Sequence, residues 1–306
     1  MIKKIIKKFF SKKIKSMFLE EYEKKIFLEG KKLSILNLKK SKINDLSEIE
    51  YKVFSQWGED GIIDWITSKL KDIPNSFLEI GTENYNESNT RYLLQNKNWT
   101  GYLIEGNKKA VEEIKKNRIF WKYNLTVKNA FINSTNINQI LKKIKIPKKI
   151  GLLSIDIDSV DYWVLKELKY VIPVIIVCEF NPLFGEKQLV TVPNKKKFIR
   201  TEEHFSNLYY GASIKAFQSL LKKKGYIFIG TNTAGNNAFF IKKNYSKNVF
   251  NLIKKKKIFK SQFRESRNKQ NKLNFLNKKE SLNQIKNKTI YDLEAKRTKK
   301  ISQLFK

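Results

Sequence analysis

Two apolar runs in the middle of the chain end in clusters of oxygen-bearing side chains. The first closes on Ser154-Ile155-Asp156-Ile157-Asp158-Ser159-Val160-Asp161 and the second on Glu179-Phe180-Asn181. If the runs are neighbouring strands, Asp156, Asp158, Glu179 and Asn181 converge, and that is the donor set a hard divalent cation such as Mg²⁺ or Mn²⁺ takes. The alternative is that Asp156 holds a cationic group or the substrate while Asp158 and Asp161 only open a helix. His204 is the single imidazole of the chain. Its ordinary pKa near 6.5 suits it to take a proton from a substrate hydroxyl, against the plain reading of a loop histidine with no role. Asp156, Asp158 and His204 are therefore the candidate catalytic residues.

A second group lies upstream. Glu79-Ile80-Gly81-Thr82-Glu83 ends an apolar run, and Gly81 lets backbone approach a ligand closely. The loop is not a GxGxxG fingerprint, and Glu83 and Glu87 would repel a pyrophosphate; a cationic ligand suits it better. Ser88 or Asn89 is placed to cap the following helix. Glu105 ends the next apolar run at the spacing of about 20 residues expected for an acid that binds ribose hydroxyls. Its plain role would be an acid in the first turn of a helix. Glu79, Gly81, Ser88, Asn89, Glu105 and Asp156 form the candidate cofactor set. Asn181-Pro182-Leu183-Phe184 looks like the tetrapeptide of amino-methylating DNA enzymes, but it follows the fifth strand rather than the fourth and is read as a decoy.

Apolar runs alternating with helical patterns must position these groups. Strands are predicted at 77–80, 102–104, 126–132, 151–157, 174–180, 226–230 and 238–241. Helices are predicted at 58–71, 88–95, 108–117, 137–144, 160–168 and 213–224. Strict alternation implies a parallel sheet with helices on both faces, and its ligands bind beyond the carboxyl ends of the strands. The last two strands are joined by 231–237, too short for a crossover, so they pair antiparallel. Five parallel strands plus an antiparallel hairpin is the Rossmann-like α/β arrangement of class I methyltransferases.

Three segments follow: a basic helical extension over 1–50, the α/β domain over 51–244, and a Lys/Asn-rich tail over 245–306, helical in pieces or disordered. Apolar residues at Ile2, Ile5, Ile6, Phe9, Phe10, Ile14, Met17 and Phe18 form a stripe between lysines. Such a helix either lies on an anionic membrane through residues 1–20 or packs on the domain. Sixty-three Lys and Arg against 29 Asp and Glu give a formal charge of +34, which favours anionic partners: acidic glycan, lipid or nucleic acid. Co-enrichment of Lys, Asn and Ile attributes part of that charge to composition bias. One cysteine, Cys178, excludes an internal disulfide framework and reads as a buried thiol. With no apolar run of roughly 18 residues and no signal-peptide pattern, the expected compartment is the cytosol, with peripheral contact on the inner membrane face as the variant.

Several blocks in order resemble the FkbM-type methyltransferases: Phe54-Ser55-Gln56-Trp57-Gly58-Glu59-Asp60-Gly61, Phe77-Leu78-Glu79-Ile80-Gly81-Thr82, Glu87-Ser88-Asn89-Thr90 and Leu103-Ile104-Glu105-Gly106-Asn107. The 156–161 stretch is similar to that family's D-x-E-G-x-E but has Asp at both Glu positions and Ser159 for Gly. Tyr209-Tyr210-Gly211-Ala212-Ser213 and Gly235-Asn236-Asn237-Ala238-Phe239-Phe240 look like a branch associated with surface polysaccharides. The resemblance covers 51–244 and implies S-adenosylmethionine as cofactor and O-methylation of a sugar hydroxyl. Methylation of nucleic acid is the first rival, and a degenerate, non-catalytic glycan- or membrane-binding module is the second.

Overall fold

The computed structural model describes the backbone of residues 2–262 and 264–305, and side chains from residue 18 onward except 19, 248 and 263. The described residues form ten strands: β1 (Ser76–Ile80), β2 (Thr100–Glu105), β3 (Leu125–Asn129), β4 (Lys149–Ile155), β5 (Ile172–Glu179), β6 (Val190–Thr191), β7 (Tyr226–Thr231), β8 (Asn237–Lys242), β9 (Thr289–Asp292) and β10 (Arg297–Lys300). Seven form the main sheet in the order β3-β2-β1-β4-β5-β8-β7. The first five pair in parallel, and β8 runs antiparallel to both β5 and β7. This is the class I methyltransferase order, as the alternation of elements predicts.

The central strands are buried on both faces, which is why β1, β4 and β5 read as nearly unbroken apolar runs rather than alternating ones. Successive residues point to opposite faces, so Leu78, Leu153 and Ile176 enter one core and Phe77, Leu152 and Ile175 the other. The chain's helices are α1 (Ile2–Leu38), α2 (Glu59–Lys69), α3 (Arg91–Lys97), α4 (Lys108–Lys116), α5 (Arg118–Lys122), α6 (Ile137–Lys143), α7 (Asp161–Glu167), α8 (Arg200–Glu203), α9 (Ile214–Lys223), α10 (Lys243–Phe250), α11 (Lys278–Gln284) and α12 (Ile301–Leu304). Through Ile137, Val164 and Phe217, α6, α7 and α9 cover the first face. On the other, α2, α4 and α10 contribute Ile62, Ile114 and Val249. Asn107 caps α4 through the Lys109 N–H at 2.9 Å, and Ser213 caps α9 through Ala216 at 3.2 Å. Gly225 follows α9 at φ +79°.

Two differences from the sequence reading have physical causes. Helix α3 starts at Arg91 rather than 88, because the side chains of Ser88 and Thr90 and the backbone N–H of Asn89 all bond to Glu79. The segment 245–306 is no tail: β9 pairs with β10 and with β6 in a second, three-stranded sheet, and Ile285, Ile290 and Ile301 are buried in the main core. These isoleucines are spread through a segment rich in lysine and asparagine, where the apolar residues are too few and too short in run to show a long periodic face.

The long α1 is helical from Ile2 to Leu38. The side chains of the stripe residues Ile2 to Met17 lie outside the described residues. Farther along, Phe27 meets Tyr92 edge-on at 5.8 Å and Glu23 pairs with the buried Arg91 at 3.0 Å, which seats the helix on the domain. Tyr22, Leu28, Ile35 and Leu36 remain exposed on its other side. No helix of the described residues is long and apolar enough to cross a membrane.

Ile290→Ala tests whether the C-terminal segment belongs to the core. Deleting its buried side chain should cost about 2–5 kcal/mol, read as a lower urea midpoint; an unchanged midpoint would mean the segment is dispensable.

Candidate active site

A cavity of about 420 Å³ opens at the carboxyl ends of β1, β2, β4 and β5. The strand register places the ends together: Glu79 lies opposite Leu103 and Ser154, and Glu179 opposite Asn237. Gly81 turns the chain out of β1 at φ +83°, and a Cβ there would sit 1.6 Å from the Asp156 carbonyl oxygen. Glycine is thus required twice, by the left-handed backbone and by the contact of two neighbouring loops.

The acids around this turn divide into two kinds. Glu79 is buried and spent on the loop: it accepts from Ser88 Oγ at 2.6 Å, from the Asn89 N–H at 3.0 Å and from Thr90 Oγ1. Glu105 accepts from the N–H groups of Thr82 and Glu83 at 3.0 and 2.8 Å with one oxygen, and from Asn107 at 2.7 Å with the other. Asp161, at the start of α7, accepts from Ile157 and Ser159 at 2.9 and 3.0 Å; burial still pushes its carboxyl up to about 6. These carboxylates hold the three loops that form the cavity. Of them, Glu79 and Glu105 also line it, with Gly81, Ser88, Asn89 and Asp156, so the whole candidate cofactor set lines one cavity.

Asp156, Asp158 and Glu179 are of the second kind. One carboxylate oxygen of each lies within 4.8 Å of the others. Burial pushes the Asp156 and Glu179 carboxyls well above the usual carboxylate range, followed by the charges of Asp158 and Asp161 on Asp156 and of Asp156 and Asp158 on Glu179. Asp158 stands at φ +54°, a conformation Asp tolerates better than most residues. It pairs with Arg200, whose other terminal nitrogen reaches Glu265 at 2.8 Å and whose Nε donates to the Asn207 carbonyl at 2.6 Å. The guanidinium lies 3.9 Å from the centre of the Tyr210 ring. A single arginine thus supplies the positive charge that this acidic corner requires.

The fourth member of the expected metal set is not available. Asn181 is buried with its amide donating to the carbonyls of Leu208 and Tyr210, both at 3.0 Å, and its oxygen accepting from Leu183. It fixes the turn after β5, which also accounts for the Asn-Pro-Leu-Phe sequence: Pro182 opens a short 3-10 turn that Asn181 caps. The three remaining carboxylates could still hold a metal ion between them, with Arg200 engaging one of the two Asp158 oxygens.

Neither a family model nor a curated protein matches the chain. Solved structures similar to it include the N-terminal domain of EvdMO1 with bound S-adenosylhomocysteine, at 10% identity and a TM-score of 0.40 over 71% of this chain and 94% of that one. A Bacillus cereus O-methyltransferase in complex with the same ligand aligns at 14% identity and a TM-score of 0.35, over 55% and 72% of the two chains. An S-adenosylmethionine-dependent methyltransferase from Aquifex aeolicus aligns at 14% identity and 0.36, over 69% and 96%. The strand order, rather than these partial superpositions, defines the fold.

His204 is not among the residues that line the cavity. Its ring stacks on Phe205 and its Nδ1 bonds to Ser206 Oγ at 2.7 Å. Burial, and then the nearby Lys288, hold its pKa below the usual value, so it is neutral at pH 7. The base expected there is thus displaced from the site. Sequence reasoning also missed Arg200, Glu265 and Asn237, which do line the cavity. Arg200 left one signal: an arginine in a segment whose other cations are lysines, where a forked donor would be selected over a point charge.

Arg200→Ala should leave the carboxylates unpaired and cost roughly 3 kcal/mol, the low end of the range for breaking a buried pair because Asp158 is half-exposed. Arg200→Lys should recover less than half, since an ammonium cannot bridge Asp158 and Glu265 in one plane. Urea midpoints of the two variants check this; equal stability of the lysine variant and the parent would remove the bridge from the account.

Proposed function

We propose that the chain is an S-adenosylmethionine-dependent methyltransferase. The observation that carries the reading is the Glu105 carboxylate at the end of β2 beside the Gly81 turn, in an acid-lined cavity at the carboxyl edge of the sheet. Glu105 suits two ribose hydroxyls, and Phe131 and Ile132 offer an apolar wall for a purine. Asp156 and Glu179 suit a cationic amino acid moiety. The donor set fits the group.

When bound, S-adenosylmethionine supplies a methyl group whose bond to sulfur breaks, the electron pair staying on sulfur, as an acceptor oxygen forms the new carbon–oxygen bond. The protein's part is chiefly to align the two partners. The hydroxyl proton passes to a carboxylate of the acidic corner formed by Asp156, Asp158 and Glu179. Asp158, oriented by Arg200, completes the polar wall on that side. No step is routed through a metal.

The acceptor we favour is a sugar hydroxyl in surface glycan synthesis. The blocks that resemble the polysaccharide-associated branch support it, because they supply Asn237 to this cavity and Tyr210 and Gly235 to the one adjoining it. The +34 charge supports a nucleic-acid acceptor as the second reading. It also supports peripheral attachment to anionic membrane from the cytoplasmic side through residues 1–20.

Calorimetry with S-adenosylhomocysteine tests the cofactor assignment: Glu105→Ala should weaken binding by about 1–3 kcal/mol, and unchanged affinity would sink the ribose role. Surface glycans from cells with and without the protein should differ by methyl groups in mass spectra, and identical spectra would argue against the glycan acceptor. Loss of methyl transfer in EDTA and its return with Mg²⁺ or Mn²⁺ would assign Asp156, Asp158 and Glu179 to a metal, and full activity in EDTA would eliminate it. Removing residues 1–20 should abolish pelleting with anionic vesicles, and equal pelleting of the truncated chain would exclude that segment as the anchor.

A further inference from the structure

A second cavity, also of about 420 Å³, lies beyond the Arg200–Glu265 pair. Both residues line both chambers, so the two adjoin at this ion pair. The chambers differ in sign. The first is walled by carboxylates with Arg200 as its one lining cation. In the second, among the described residues, Lys260, Lys278 and Arg264, whose guanidinium also donates to the Phe275 carbonyl, stand against Glu186, since Glu265 is already bound to Arg200. Phe180, Leu183, Phe259 and Leu276 give it an apolar floor, and Gln262 and Asn277, whose amide oxygen caps α11, also line its wall. Most of that wall comes from residues 258–281, the segment whose sequence gave no sign of a core.

We propose that the second chamber binds the acceptor, and that it takes a sugar bearing a phosphate or carboxylate beside its hydroxyls. An acidic chamber attracts a sulfonium-bearing donor, and an adjoining basic one attracts an anionic acceptor, so charge sorts the two ligands into their places. The apolar floor suits the C–H face of a sugar ring, the amides suit its hydroxyls, and charge-assisted bonds from the lysines and arginine fix the anion. The word acceptor rests on the methyltransferase reading; the selectivity for an anionic sugar does not.

Glucose 6-phosphate, glucuronate and methyl glucoside are titrated onto the full chain by ligand-observed NMR, with S-adenosylhomocysteine followed separately by calorimetry. The charged sugars should bind about tenfold more tightly than the neutral glucoside, and their order tells phosphate from carboxylate. Lys260→Gln combined with Lys278→Gln, two exposed positions, should remove that advantage and leave S-adenosylhomocysteine affinity unchanged. Leu276→Trp, which fills the floor, should block all three sugars while the urea midpoint stays within error of the parent. Equal binding of charged and neutral sugars, or equal binding by parent and double variant, overturns the proposal. Sugar binding without S-adenosylhomocysteine binding would keep the chamber and discard methyl transfer; the reverse pattern would keep methyl transfer and discard the chamber.

Discussion

The bridge from Asp158 through Arg200 to Glu265 ties three parts of the chain together at one point. Asp158 follows β4, Arg200 comes from the excursion between β5 and α9, and Glu265 comes from the C-terminal segment. A parallel sheet brings its strand ends together, and this sequence places carboxylates on four of them. Without a compensating cation their repulsion would oppose the packing of the loops above the sheet. Arg200 answers that with a planar fork that can reach two carboxylates at once, steadied by the Tyr210 ring beneath it.

Carboxylates serve two purposes in this molecule, and position relative to backbone decides which. Glu79, Glu105 and Asp161 accept from the N–H groups of the loops around the cavity. Asp60 does the same farther off, taking the N–H groups of Val53, Phe54 and Ser55 at 2.6–2.8 Å. Glu59 bonds to the side-chain amides of Asn232 and Asn237 at 2.7 and 2.8 Å and so ties the start of α2 to the β7–β8 turn. These acids satisfy donors that no strand or helix can reach. Among the described residues, Asp156, Asp158 and Glu179 accept no such backbone bonds, and all three line the cavity.

The FkbM-like blocks take on physical meaning in this light. Ser55, Glu59 and Asp60 form a polar knot rather than a binding surface. Gly81 and Glu105 are at once architectural and exposed to the cavity. The Asn232–Asn237 turn closes on itself, with Asn232 accepting from the N–H groups of Gly235, Asn236 and Asn237. A motif found by type and spacing therefore mixes residues that shape the cavity with residues that could touch a ligand.

By itself the sequence determined the sheet. Apolar runs of strand length alternating with amphipathic helices leave few ways to bury both faces, and the short 231–237 link forces the final hairpin. It also determined that Gly81, Glu105, Asp156, Asp158 and Glu179 meet, because strand ends in such a sheet must. Only the tertiary structure decided what each does there. Asn181 and His204 have the right types for a ligand and a base, but local bonds to Leu208, Tyr210 and Ser206 claim them, and no spacing rule encodes that. Arg200 and Glu265 are 65 residues apart, and three isoleucines scattered through a lysine-rich segment carry the chain back to the core. Such pairings depend on where loops land after the sheet has formed, and periodicity, which reports only a segment's own exposed and buried faces, holds no record of them.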